Sequence, residues 1–542
     1  MILIIYIALF CFILRFYYIN KKFSNNEPIR CGWLAIPLFG HFYGVNFTKP
    51  FYEIYNNTKH LMNEKYGKHK LFSIWFMDSY MVFITDAYLA REFLVKNGEN
   101  FLNRPITSAT KLFSHNFSNL SQSRDQRWFD IRNTFSHMAT NLLVRKKTHH
   151  IENKTKELIA NLKDERNCRL SPNSIEIHKI TKSYLLNLLF EYFNRSEPLE
   201  NTIKDSRSQE LIDNVLKFLS NTQGKPLLNC KLFCMFIATY HKITGLKIVY
   251  KPYKLIKELL IDDHIKTIDR NNPRDPIDEL IILNESYPKH QQSEDNIISP
   301  IFDMFVPGLN TSSFILEWFM LLLSNYPLTQ NSIYNELVNI LNNENNTNNN
   351  INNNNDKNDK DGKDGINNDN DNDNDNDDDD DDDNYYKDFI GIKHKTQTPI
   401  LNSAINEVIR YKMGTSGGPR TTKEDICIDG KFIPKGTGVA ILTIAIFNDK
   451  EYWGNPEEFD PDRFLGDYDK IKPHLDRLLH FGVGKRQCPG KNIANDQIYL
   501  VCANMVLNFT WSSESGEKIN EIPDFKLNSL PPPYKLILKK RN

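Results

Sequence analysis

One cysteine carries the strongest chemical signal in this 542-residue chain. It sits in Phe481-Gly482-Val483-Gly484-Lys485-Arg486-Gln487-Cys488-Pro489-Gly490, just before an apolar stretch with helical spacing. Gly484 can supply a tight turn that other residues resist. Pro489 suits the first turn of a helix, where its missing N–H costs nothing. Cys488 then falls at a helix N-terminus, where free amides and the helix dipole favour a thiolate, and Arg486 adds positive charge beside it. The plain alternative is a buried cysteine in a Gly-rich loop. The other seven, Cys11, Cys31, Cys168, Cys230, Cys234, Cys427 and Cys502, form no C-x-x-C pair. They suggest neither a zinc site nor a secreted disulfide scaffold and read as reduced core thiols.

Three other groupings are chemically suggestive. Trp128 and Arg132 are four residues apart, which on a helix puts two hydrogen-bond donors on one face, both able to serve an anion. Alone, the pair reads as a packed Trp beside a solvated Arg. Glu407 and Arg410, at i and i+3, can pair on a helix. The stretch Phe305-Val306-Pro307-Gly308-Leu309-Asn310-Thr311-Ser312 lies in apolar helical sequence yet contains a proline, which removes a hydrogen bond and bends a helix. The ordinary role of Thr311 there is to bond a carbonyl one turn back.

The elements that must position these residues follow from composition and periodicity. The chain is 40% hydrophobic and 12% aromatic, which excludes collagen, coiled coil and general disorder. It is long enough to bury a large core and an internal cofactor. The net charge of -1 hides an asymmetry: residues 342–384 carry a net -13, leaving +12 on the rest. That Asn/Asp tract has almost nothing apolar to bury and is expected to be a disordered insertion. Residues 2–19 are apolar but for Arg15, and as a helix rising ~1.5 Å per residue they are just long enough to cross a bilayer core. Arg15 can snorkel to headgroups, no small-residue cleavage site follows, and Lys21, Lys22 and Arg30 place the remainder in the cytosol. Pro28, Pro37 and Gly40 mark a stiff linker. Residues 71–85 predict two short strands turning at Asp78-Ser79, and 124–141, 205–221, 300–324, 399–412 and 490–509 predict helices. Residues 432–446 alternate like strands. The expected division is an anchor at 1–20, a linker at 21–45 and one domain at 46–542.

The cysteine segment resembles the haem-binding loop of the cytochrome P-450 family, F-x-x-G-x-R-x-C-x-G, with every specified residue present. The resemblance implies that Cys488 is the axial thiolate of haem iron, which favours O–O cleavage. It implies that Arg486 holds a propionate, that Phe481 belongs to the cofactor-binding loop, and that Gly490 lets the following helix approach the porphyrin. Glu407-Val408-Ile409-Arg410 resembles the family's E-x-x-R, and Phe459-Asp460-Pro461-Asp462-Arg463-Phe464 its P-E-R-F meander with Asp462 for Glu. Arg463 should then join Glu407 and Arg410 in a structural cluster. Trp128 and Arg132 resemble the W-x-x-x-R pair on a propionate, and Arg420 aligns with a position that contacts the other one. The implied fold is mainly α with small β-sheets: a single large cytochrome P-450 fold preceded by an N-terminal transmembrane helix. The Asn/Asp tract falls in the family's variable J-to-K connection.

The distal stretch is similar to the family's [AG]-G-x-[DE]-T, with Pro307 in place of a small residue and Asn310 in place of the acid. By resemblance the catalytic pair is Thr311, steadying oxygen, and Asn310, positioning water with no titratable proton. The implied activity is a haem-thiolate monooxygenase inserting one oxygen atom from O2 into an apolar organic substrate. Electrons would come from NADPH through a flavoprotein reductase docked near Arg124, Arg127 and Lys485. The implied location is the endoplasmic reticulum membrane, held by lipid contact of the N-terminal helix; no nucleic-acid partner is expected. Two alternatives stand beside this: a haem-thiolate isomerase or dehydratase acting on peroxides without a reductase, and a haem- or lipid-binding protein without turnover. The substrate is not legible, because specificity in this fold lies in variable segments, here about 100–118, 205–250 and 413–420.

Overall fold

The computed structural model describes all residues except 1, 22–25, 31–33, 38–39, 42–54, 57–68, 77–78, 108–110, 112–113, 115–116, 141–142, 164–173, 194–209, 212–213, 215–245, 359–388, 414–417, 524–529 and 542. Helix α1 (Ile2–Asn20) is followed by β1 (Ile29–Arg30), β2 (Leu71–Phe76) and β3 (Ser79–Ile84). Then come α2 (Asp125–Thr140), α3 (Leu143–Lys163), β4 (Ser174–Ile175), α4 (Ile177–Phe193) and the long helices α5 (Asp295–Asn325) and α6 (Pro327–Asn358). The chain continues with α7 (Pro399–Lys412), β5 (Arg420–Thr421), β6 (Ile426–Ile428), β7 (Lys431–Ile433) and β8 (Gly438–Ile441). It closes with α8 (Lys491–Asn508), β9 (Phe509–Ser513) and β10 (Leu536–Lys540). The strands form a five-stranded sheet, β1-β2-β3-β8-β5, a three-stranded sheet, β4-β10-β9, and the β6-β7 hairpin.

Helix α5 is the centre of the main core. Leu309, Phe314, Ile315, Leu316, Trp318, Phe319, Leu321, Leu322 and Leu323 are all buried, and from Phe314 to Leu323 the helix is apolar nearly all round, Glu317 excepted. Burying each such side chain contributes roughly 1.5–3 kcal/mol. It packs on α4, α7 and α8. Gly308 permits the α4 contact, since a Cβ there would lie 3.2 Å from a methyl of Leu189. The helix runs unbroken through Pro300 and Pro307.

Helices α2, α5, α7 and α8 fall within a few residues of their expected bounds, and β2 and β3 form the expected hairpin. Several expectations need correction. Phe76 pairs with Ser79, so Ser79 belongs to the strand and not to the turn, while Asp78 lies outside the described residues. Residues 443–447 are a helical turn rather than strand. The 21–45 linker contributes β1, which pairs in parallel with β2 and is therefore part of the sheet. The helix expected at 205–221 lies mostly outside the described residues. The Asn/Asp tract is not wholly without structure either: α6 continues into it as far as Asn358, and Glu344 binds His394 at 3.0 Å and Lys393 at 3.1 Å.

The N-terminal helix is apolar and outward-facing: Tyr6, Phe10, Ile13 and Tyr17 are all more than half exposed. Its described apolar run, Ile5–Asn20, is shorter than the ~20 residues a bilayer core needs. Among the described residues, the helix long and apolar enough to cross a membrane is Lys289–Asn325, which is 76% buried and contains α5. The C-terminal end of α1 is docked on the body. Asn20 exchanges two 2.7 Å hydrogen bonds with the Ala35 backbone, and the Arg15 guanidinium lies 5.9 Å from the Trp75 ring.

Glu407 and Arg410 are fully buried, not a surface pair. The guanidinium donates twice to the carboxylate, at 2.7 Å each, and also to the carbonyls of Phe447, Pro456 and Glu458. The Asp460 N–H donates to Glu407 at 3.0 Å, and Arg463 stands 3.6 Å away. This cluster fastens α7 to the meander that feeds the cysteine loop. Glu407→Ala strands a buried guanidinium and should cost ~3–5 kcal/mol, read by thermal unfolding. Deleting 359–384 should change stability by less than about 1 kcal/mol, because loop-closure cost varies slowly with length. Extending the deletion to residue 342 should destabilise measurably, through loss of the Glu344 contacts.

Candidate functional site

The cysteine loop is shaped by two left-handed glycines, Gly482 (φ 67°) and Gly484 (φ 73°). Gly484 is required twice over, since a Cβ there would lie 2.0 Å from the Leu94 carbonyl oxygen. The Cys488 N–H closes the loop by donating to the Phe481 carbonyl at 2.9 Å. Helix α8 starts at Lys491 with Gly490 at its cap, so Pro489 precedes the helix instead of occupying its first turn. Burial pushes the Cys488 thiol up from its ordinary value, against smaller opposing pulls from the Gly490 N–H, Arg132 and Lys491. A metal cation bound at the sulfur would favour the thiolate form.

Four guanidinium groups gather around this loop. Arg486 donates to the carbonyls of Leu102 (2.7 Å), Leu120 (3.1 Å), Ser121 and Ser123, and its Cζ lies 4.4 Å from the Trp128 ring centroid. Arg132 on α2 donates to the Gln487 carbonyl at 2.9 Å. Arg420 on β5 donates to the Val483 carbonyl at 3.5 Å. Arg104 donates to the carbonyls of Ser121 (3.2 Å), Pro419 (3.0 Å) and Gly418. Burial lowers the pKa of all four, and neighbouring guanidiniums lower Arg420 and Arg486 further. The carboxylate set against them is Asp303 on α5, which accepts from the Ser121 N–H (2.6 Å) and hydroxyl (2.9 Å) and from Asn119 (3.1 Å). Burial pushes Asp303 up to about 6.

On the distal side, Pro307 and Thr311 are exposed, one turn apart on one face of a helix otherwise mostly buried. They line open space. The Thr311 hydroxyl donates to the Pro307 carbonyl at 2.9 Å, leaving its lone pairs free to accept. Asn310 is half-buried. Ser312, which follows Thr311, accepts from Gln497 at 2.5 Å and ties α5 to α8. Glu317, one and a half turns beyond Thr311, is buried against Thr181, and burial pushes its carboxyl up to about 7.

These features fit haem. A crowd of buried guanidiniums in excess over carboxylate suits a dianionic group, and a lone thiol suits iron. A Cβ on Gly490 would meet nothing within 4 Å, so open space lies over the start of α8. The structure brings Cys488, Phe481, Gly490, Arg486, Arg132, Arg420 and Trp128 together in this region, with Thr311 and Asn310 on α5. The basic docking face is less free than expected. Lys485 pairs with Glu99, Arg127 binds Asn296 on α5, and Arg124 donates to the Arg104 carbonyl at 3.3 Å. Sequence reasoning missed Arg104, Asp303 and Glu317. The spacing of Asp303 and Thr311, eight residues apart on one helical face, was a usable signal; Arg104 left none.

Comparison with known proteins agrees. The family profile described as Cytochrome P-450 matches residues 31–353 and 386–538, passing over the Asp-rich part of the tract. "Probable cytochrome P-450 508C1" of Dictyostelium discoideum is 28% identical over 97% of this chain and 96% of its own length. "Probable cytochrome P-450 508D1" of the same organism is 29% identical over 96% and 95%. A zebrafish cytochrome P-450 solved with progesterone superposes with a TM-score of 0.68 at 19% identity, covering 90% of this chain and 99% of that one. Members of this family bind haem iron through an axial cysteine thiolate. The chain belongs to the cytochrome P-450 family and is an oxidoreductase of the haem-thiolate monooxygenase class.

Proposed function

We propose that Cys488 is the axial ligand and that Arg132, Arg420 and Arg486, with Trp128, hold the haem propionates. The observation that carries this reading is the convergence of those buried guanidiniums on the loop that bears Cys488. Bound there, haem supplies the activation of dioxygen and the transfer of one oxygen atom to an apolar substrate. The protein's part is to place donors and protons. Thr311, with its hydroxyl turned to the Pro307 carbonyl, presents an acceptor to water or substrate in the distal space and can rotate to donate. Asn310 holds a water by donor and acceptor together but cannot give up a proton. Protons then travel through ordered water. We further propose that electrons come from NADPH through a flavoprotein reductase, and that the exposed apolar face of α1 sits in the endoplasmic reticulum membrane.

Cys488→His should abolish the thiolate-type Soret band of the reduced carbon-monoxide complex; its survival would disprove the ligand assignment. Two glycines separate cofactor fit from folding. Gly484→Ala should prevent accumulation of folded protein, because its Cβ would collide with Leu94 backbone. Gly490→Ala should leave apoprotein stability within ~0.5 kcal/mol, as for an unobstructed surface change, yet lower haem occupancy. With reductase and NADPH, Thr311→Ala should raise peroxide release per NADPH on the order of 10-fold, below the roughly 10²–10⁴-fold of a full general-acid contribution because water still supplies protons, with haem content unchanged. Asn310→Asp should keep or improve coupling. Pro307 and Asn310 also favour a second reading, a peroxide isomerase. Turnover of lipid hydroperoxides without NADPH, with neither variant affecting coupling, would establish it in place of the first.

A further inference from the structure

Helix α1 is free along most of its length and fixed at one end. From Ile5 to Leu14 every residue is exposed, so this part stands clear of the body. The last turn is built into the body. Ile19 is buried in a small apolar cluster with Ala35 and Trp75, and Tyr80 packs against it. The Asn20 amide oxygen accepts from the Ala35 N–H and its nitrogen donates to the Ala35 carbonyl, both at 2.7 Å. The same nitrogen also donates to the Phe16 carbonyl at 2.9 Å. One side chain thus closes the helix and bonds it to residue 35. A turn earlier, the Arg15 guanidinium lies against the Trp75 ring, on β2 of the five-stranded sheet. A helix held at two successive turns has no free joint where it meets the body.

The clamp leaves only a short free length. The stretch from Ile2 to Arg15 rises about 21 Å at ~1.5 Å per residue, against a hydrocarbon core of roughly 30 Å. A helix too short for its bilayer is accommodated by thinning of the bilayer, by snorkelling of its flanking residues or by self-association. Here the flanking residues are clamped, so thinning and snorkelling carry the body toward the lipid with them. The surface beside the clamp suits that position. Tyr17, Tyr18 and Leu34 are all more than half exposed, and Lys21 is exposed next to them. Tyrosine favours the membrane–water interface, and lysine is drawn to anionic headgroups.

We propose that α1 is a rigid mast, that the Asn20–Ala35 clamp fixes the tilt of the whole body on a lipid bilayer, and that the surface around Leu34, Tyr17 and Tyr18 rests in the headgroup layer. The proposal rests on the reading that α1 lies in a membrane and goes beyond it, since a flexible tether would let the body turn freely. Full-length holoprotein is placed in oriented bilayers of phosphatidylcholine and phosphatidylserine, and the haem absorbance is read by linear dichroism. The wild type should show one narrow haem tilt. Asn20→Ala, which loses both bonds to Ala35, should weaken the clamp roughly 10-fold, or about 1.4 kcal/mol. Adding Ile19→Ala removes the buried anchor as well, and should weaken it on the order of 10-fold further and flatten the dichroism. Alanine keeps the helix and its apolar character, so both variants should sediment with vesicles of the same lipids as the wild type does. Leu34→Glu should shift the tilt with the clamp intact. Every variant should keep the wild-type reduced carbon-monoxide spectrum, which shows that the body is folded. If the protein sediments with vesicles, a wild type without dichroism, undiminished dichroism in the double variant or a tilt unmoved by Leu34→Glu would overturn the proposal and leave the membrane reading standing. A wild type that stays off vesicles, its α1 covered by a second copy of the chain, would overturn both.

Discussion

Arg486 reaches from the cysteine loop to the carbonyls of Leu102, Leu120, Ser121 and Ser123, and the geometry on both sides of the proposed haem plane depends on that reach. Hydrogen bonds from a charged group contribute roughly 1.5–3 kcal/mol each, and a buried guanidinium cannot leave them unmade without a larger penalty. The segment it grips is held from the other direction as well. The Ser121 N–H donates to Asp303 on α5 while its carbonyl accepts from Arg104 and Arg486. One short stretch of chain thus links the proximal loop to the distal helix, with cations below and a carboxylate above.

That arrangement gives α5 a chemical order along its length. Asp303, Pro307 and Thr311 follow one another at single-turn spacing. The acid is committed to the 119–121 segment, the proline leaves open space beside it, and the threonine turns its proton back to the proline carbonyl. Past them, Ser312 fixes the helix to α8 through Gln497, and Glu317 lies buried against α4 through Thr181. The departure at Asn310 removes a titratable group from the middle of this series. It leaves one raised carboxyl on either side, Asp303 near 6 and Glu317 near 7, both held up by burial. The Glu407–Arg410–Arg463 cluster lies outside this series. It ties α7 to the meander from which the chain runs on into the cysteine loop.

Legibility in the sequence followed the range of the interaction. The cysteine loop was readable because its requirements are local: glycines where φ is positive, a donor two residues before the thiol, and a cap where the helix begins. The W-x-x-x-R and E-x-x-R pairs were readable because one helical turn brings their members together. Arg104 was not, since its partners lie at 121 and 418–419 and nothing near residue 104 announces them. Strand β1 was hidden for the same reason: two residues in a Pro- and Gly-marked stretch become a strand only because β2 offers an edge.

The sequence by itself pointed to the family, to Cys488 as the candidate thiol, to the order of the long helices and to Asn310 where the family's pattern has an acid, because these rest on residue type and short spacing. Only the tertiary structure decided the electrostatic balance. Whether a thiol is biased toward thiolate, whether a Glu–Arg pair is a surface ornament or a buried clamp, and whether Lys485 is free to meet a partner all depend on desolvation and on groups far away in the chain. Burial raised the Cys488 thiol despite its helix cap, hid Glu407 and Arg410, and set Glu99 against Lys485. The dielectric around a charge is a property of packing, and packing is assembled from contacts that no local window contains.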